Sequence, residues 1–172
     1  MSDLFQKITD SKGLLEKIVG MIPGFSGYMQ KEARREADKL LRDTIATRYG
    51  QQVDRLATLQ TQLISSGGLE YVDDLQDAVT RLQRFVDTVK TAERGYSGFF
   101  DAVKVKEAEL AKLYAFDNAL LDNAGQVAAA VDAVEAAVNG NEGLPAAIRK
   151  LSALAAECNT TFERRKEVLL AS

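Results

Sequence analysis

At 172 residues, with 46% hydrophobic and 27% charged side chains, the chain has the size and make-up of one folded domain rather than of a disordered segment. A net charge of -3 excludes a general nucleic-acid binder, which needs Lys and Arg in excess on one face. One cysteine and no histidine exclude disulfide frameworks, imidazole-bound zinc and the commonest general base.

The first predicted element is an amphipathic helix over residues 1–22, with Leu4, Phe5, Ile8, Leu15, Ile18, Val19 and Ile22 on one face. Lys7, Lys12 and Lys17 lie mostly off that stripe, and Gly13 and Gly20 each weaken the helix by ~1 kcal/mol relative to alanine. Pro23-Gly24 breaks the pattern, so residues 23–27 read as a hinge and residues 28–172 as the main body.

A long helix is expected from Tyr28 to Ile64, because Leu41, Ile45, Tyr49, Val53, Leu56, Leu59 and Leu63 step by three or four. Ser65-Ser66-Gly67-Gly68 supplies its stop. The next helix carries the cleanest seam: Val72, Leu75, Val79, Leu82, Val86 and Val89 keep heptad spacing without a miss. Gly95-Tyr96-Ser97-Gly98 interrupts it. A further helix from Lys106 to Val138 has the seam Leu110, Leu113, Asp117, Leu120, Ala124, Val127, Val131, Val134, Val138. After a turn at Asn139 to Gly143, Pro145 opens the last helix, where its missing N–H is harmless. That helix aligns Ile148, Leu151, Ala155, Cys158, Phe162, Arg165 and Leu169, which makes Cys158 a buried structural thiol.

No alternating strand pattern occurs anywhere. The expected fold is all-α: an antiparallel up-down-up-down four-helix bundle, coiled-coil-like in its seams, with a short N-terminal amphipathic helix added.

Two seams are interrupted by charge. Asp117 and Arg165 both lie 24 residues from Asn141, at the middle of the turn between their helices, so an antiparallel pair sets them at one height. Traced back from Leu41, the first long helix puts Asp38 and Arg34 on its buried stripe toward the same end. The expectation is a structural polar layer of Asp117, Arg165, Asp38 and Arg34, roofed by Tyr96, Phe99 and Phe100. Such a layer fixes helix register; the other reading is a pocket for a small anion or an acidic partner group. The mixed run Lys31 to Lys39 reads as a solvated face with i,i+4 support.

Catalytic signatures are missing. There is no phosphate-cradling glycine loop, no Gly-x-Ser-x-Gly and no dinucleotide fingerprint. Asp73, Asp74 and Asp77 crowd a helix start, where the macrodipole accounts for them. We therefore expect no enzyme, no catalytic, cofactor-binding or metal residues, and no cofactor.

At Ile22-Pro23-Gly24-Phe25-Ser26-Gly27-Tyr28, running on to Lys31-Glu32, Arg34-Arg35-Glu36 and Asp38, the sequence resembles a group of uncharacterised bacterial all-helical proteins. Gly95-Tyr96-Ser97-Gly98-Phe99-Phe100-Asp101 is similar to a second landmark of that group. The resemblance covers most of the chain. It implies a bacterial, single-domain helical protein and carries no activity with it.

The leading functional expectation is a non-enzymatic interaction or scaffold protein whose helix faces bind another protein or a second copy. Phe85 and Phe116, apolar positions beside their seams, motivate it. One alternative is peripheral attachment to a membrane surface through the apolar face of residues 1–22. Another is a bundle enclosing a small hydrophobic ligand. With no continuous apolar run at the N-terminus, the expected location is cytoplasmic, the membrane alternative placing the protein at the inner face.

Overall fold

A computed structural model describes residues 2–92, 97–102, 105–140 and 142–170, with side chains from residue 12 onward apart from Ser97. Among these residues there is no strand. Six helices follow one another: α1 (Ser2–Met21), α2 (Arg34–Ser66), α3 (Val72–Thr91), α4 (Ser97–Asp101), α5 (Glu107–Gly140) and α6 (Leu144–Leu170).

The long helices form where the three-four spacing of apolar residues lets one face leave water. Every seam position of α2, α5 and α6 read from the sequence is buried, Asp117 and Arg165 included. In α3 the buried face is wider than the heptad seam. Ala78 and Phe85 join it, while Val72 and Val79 are only half-buried. Phe85 sits 4.6 Å from the Tyr49 ring and 6.0 Å from Phe162, centroid to centroid, so it is core and not spare surface.

The helix ends follow local chemistry. Gly67, at φ 86, takes the left-handed cap of α2, and Gly68 N–H closes on the Leu63 carbonyl at 2.9 Å. Gly143, at φ 76, precedes Leu144-Pro145 at the start of α6.

α2 packs on α3 and α5, and α6 packs on the same two helices. Gln60 donates to Gln76, and Arg42 to the Val89 carbonyl, so α2 and α3 run antiparallel. Arg55 pairs with Asp132 and Glu135, while Asp38 and Asp117 share Arg165; α2 and α5 therefore run in the same direction. Short links were expected to make each consecutive pair of long helices antiparallel neighbours. For α3 and α5 this does not hold: they are not a packed pair. The link between them is long enough to carry a helix of its own, α4, and so is free to lead across the ring of helices.

Residues 23–27, read as a hinge, form a strap that is packed at Phe25 and Gly27 and exposed at Pro23, Gly24 and Ser26. Ile22, Phe25, Gly27 and Tyr28 are all buried, and α1 itself lies along α5. Gly27, at φ 80, has no room for a side chain: a Cβ would stand 2.7 Å from the Tyr114 hydroxyl and 2.9 Å from Leu15. Tyr28 then spends its backbone N–H on Tyr114 Oη at 2.7 Å. The backbone is still extended at Gln30, at φ -91 and ψ 118, so α2 starts at Arg34, after a 3-10 turn over Lys31–Ala33, and not at Tyr28.

Candidate functional site

The densest cluster of ionisable groups lies inside the protein, at the end where α2 and α5 begin. Arg165, fully buried on α6, donates from Nε to Asp117 Oδ1 at 2.6 Å. From Nη2 it donates to Asp38 Oδ1 at 2.6 Å and to the Tyr28 hydroxyl at 3.2 Å. Asp38 turns its other oxygen to Arg42 Nε at 2.7 Å, and Asp117 its other oxygen to the Tyr28 hydroxyl at 2.7 Å. The result is one hydrogen-bonded chain, Arg42–Asp38–Arg165–Asp117–Tyr28, crossing α2, α6, α5 and the strap.

The structure thus brings together Asp117, Arg165 and Asp38. Arg34 is buried at the same end but pairs with neither carboxylate. It donates from Nε to the Tyr28 carbonyl and from Nη1 to the Ala102 carbonyl, both at 2.7 Å. Its place in the expected layer is taken by Arg42, one helical turn beyond Asp38, where the i,i+4 spacing reaches the free carboxylate oxygen. That spacing was readable beforehand. The role of Tyr28 was not, because only the strap's return path carries it inside.

Phe99 and Phe100 are buried over this end, and Phe100 stacks on Tyr28 with centroids 6.2 Å apart. Tyr96 of the expected roof lies outside the described residues, as does Asn141. The run Lys31 to Lys39 is only partly a solvated face: Arg34, Ala37 and Asp38 are buried, while Arg35 reaches Asp101 in an exposed pair at 2.7 Å.

Burial governs the electrostatics. It pushes the Asp117 carboxyl above its ordinary value of 3.8, although Arg165 and the Tyr28 hydroxyl favour the charge. Burial also opposes the charge on Arg165, yet Asp117 and Asp38 outweigh it and hold the guanidinium protonated. Desolvation, helped by Asp117, keeps the Tyr28 phenol neutral. Among the described residues, two buried side-chain polar atoms have no hydrogen-bond partner, Arg165 Nη1 and Asn118 Oδ1. An unmet buried polar atom costs ~1–3 kcal/mol, so the layer specifies one arrangement at some expense in stability.

A second buried set lies further along the bundle. Tyr49 Oη donates to the Leu120 carbonyl at 2.8 Å and receives the Cys158 thiol at 3.3 Å. Burial raises that thiol to about 11, which leaves almost no thiolate at neutral pH and an inert side chain. Among the described residues, no group of three or more Cys, Asp or Glu side chains is gathered as a metal would require.

The N-terminal face divides. Ile18 and Ile22 are buried and Leu15 is half-buried, so these residues are taken up by packing within the chain and do not form the open face expected for a membrane or partner. Met21 and Leu14 join them against the core. Val19 is exposed; the side chains of Leu4, Phe5 and Ile8 lie outside the described residues. Among the described residues, no helix is long and apolar enough to cross a membrane.

On the outside, a groove of about 560 Å³ runs between α5 and α6, lined by Glu109, Lys112, Ala115, Phe116, Arg164, Glu167 and Val168. Phe116 and Val168 are half-buried there. Compared with protein-family models, curated proteins and solved structures, the chain finds no match.

Proposed function

We propose that the chain is a non-enzymatic helical interaction protein, acting through protein–protein contacts in the cytoplasm. In this reading the four long helices form a single bundle: α2/α3 and α5/α6 are antiparallel hairpins, and α1 is a fifth rod against α5. The bundle is the rigid body, and one of its faces is the tool.

The carrying observation is the groove between α5 and α6, where the half-buried ring of Phe116 faces outward between charged residues of both signs. An aromatic anchor with a polar rim is the composition of a binding patch. In support, among the described residues the buried Asp38, Asp117, Arg42, Arg165 and Cys158 side chains are engaged with one another, with tyrosine hydroxyls or with a backbone carbonyl, so that they build the interior.

The test is photo-cross-linking in cells that express the protein. A photoreactive phenylalanine analogue at position 116 should give adducts of discrete mass. The same analogue at position 83, on the exposed outer face of α3, should not. Equal, diffuse labelling from both positions would sink the reading.

A further inference from the structure

We infer that the partner for the groove between α5 and α6 is a second copy of this chain, related by a two-fold axis. This rests on the reading of the groove as the interaction face and goes beyond it by naming the occupant.

The argument is one of charge order. The Arg165–Asp117 pair sets the register of the two antiparallel helices. Counting from it, Arg164 lies level with Asn118, Glu167 with Ala115 and Val168 with Tyr114. At ~1.5 Å per residue, Glu109 therefore sits about 13 Å from the level of Arg164, at the other end of the groove and on the opposite helix. Lys112 and Glu167 fall between them. From one end to the other the order is acid, base, acid, base, with Val168 and Phe116 among them.

That order is self-complementary. A two-fold axis lying in the contact plane, perpendicular to the line joining Glu109 and Arg164, sets each Glu109 on the Arg164 of the other copy. The same axis brings each Lys112 within side-chain reach of the other copy's Glu167. The two Phe116 rings are then enclosed near the centre. An isologous contact needs this property, the same patch serving both partners. A partner of uniform charge would meet two of the four groups with its own sign.

The experiment is sedimentation equilibrium on the purified full chain at low salt, with circular dichroism and thermal melting to show that each variant is folded. Wild type should dimerise with a dissociation constant on the order of 10–100 µM, as fits a small wet contact. Glu109→Arg and Arg164→Glu should each weaken dimerisation at least tenfold by setting like charges together. The double variant restores opposite signs across the axis and should return to within about threefold of wild type.

Single reversals that leave the dimer unchanged, or a double variant no better than the singles, would overturn the inference. So would a wild type that stays monomeric at millimolar concentration. In that last case, an adduct of another mass from position 116 would leave the interaction reading standing, and loss of both would end it as well.

Discussion

Two arginine clusters join the same helices, α2 and α5, and they behave as different physical objects. Arg55 holds Asp132 at 2.5 Å and Glu135 at 3.1 Å, all three open to solvent, with Asp132 at 68% exposure. Arg165 holds Asp38 and Asp117 at 2.6 Å with no side chain of the three above 2% exposure. The lengths are alike, but the surroundings are not. Around Arg55, water and salt screen the attraction and flexible side chains resist being fixed, so the cluster decorates the helices. Around Arg165 bulk solvent is excluded, and any misplacement leaves a bare charge in an apolar interior. That cluster dictates how α2, α5, α6 and the strap must meet.

The sharpest way to break this contrast is Arg165→Met. It leaves two buried carboxylates side by side and should lower stability by about 3–5 kcal/mol in urea denaturation. A loss below about 1 kcal/mol would make the buried layer no more than the surface cluster.

Asp117→Asn comes next, at about 1–3 kcal/mol near pH 7, because the amide NH2 replaces one of the two oxygens that accept from Arg165 Nε and the Tyr28 hydroxyl and leaves a buried donor unmet. Its pH dependence has a definite sign. The folded carboxyl titrates above its ordinary value of 3.8, so the folded state holds that proton more tightly than the unfolded chain does. The stability tied to that proton is complete below about pH 4 and lost as pH rises through the folded value. The margin of wild type over Asp117→Asn should therefore narrow as pH climbs from 4 toward neutrality, read from paired denaturation curves. A margin that widens would mean that pairing outweighs burial at Asp117.

Gly27→Ala tests whether the strap is clamped to the layer. The left-handed backbone alone makes alanine worse by about 1–2 kcal/mol, and the Cβ would press on Tyr114, the residue that receives the Tyr28 N–H. Gly13→Ala, on the exposed side of α1 with nothing within 4 Å of a Cβ, should instead raise stability by about 1 kcal/mol. Thermal melts of the two should move in opposite directions. The smallest effect belongs to Arg55→Met, within about 1 kcal/mol and shrinking further in high salt.

Much of this was legible in the sequence, for a physical reason. An interior seam is a one-dimensional pattern, and helical rise converts sequence distance into height. Asp117 and Arg165 could be set level with each other from their spacing about the turn alone, as could Asp38 at the same end. Arg34 was misassigned because a stripe position says that a side chain is inside, not which acceptor it meets. Two backbone carbonyls, of Tyr28 and Ala102, claimed it. Phe116 stood beside its seam in both the sequence and the fold, whereas Phe85 looked the same and proved to be core.

By itself, then, the sequence determined the all-helical character, the buried stripes of α2, α5 and α6, and the height at which acid and guanidinium meet. Those depend on periodicity and rise, which are local. Tertiary structure alone decided that the segment after α1 folds back as a strap carrying Tyr28 inside, that α3 and α5 are not a packed pair, and that Arg34 turns to the Ala102 carbonyl. Each of these turns on which surfaces meet across long separations in the chain, where steric fit and the satisfaction of buried polar atoms choose among arrangements that local pattern leaves equal.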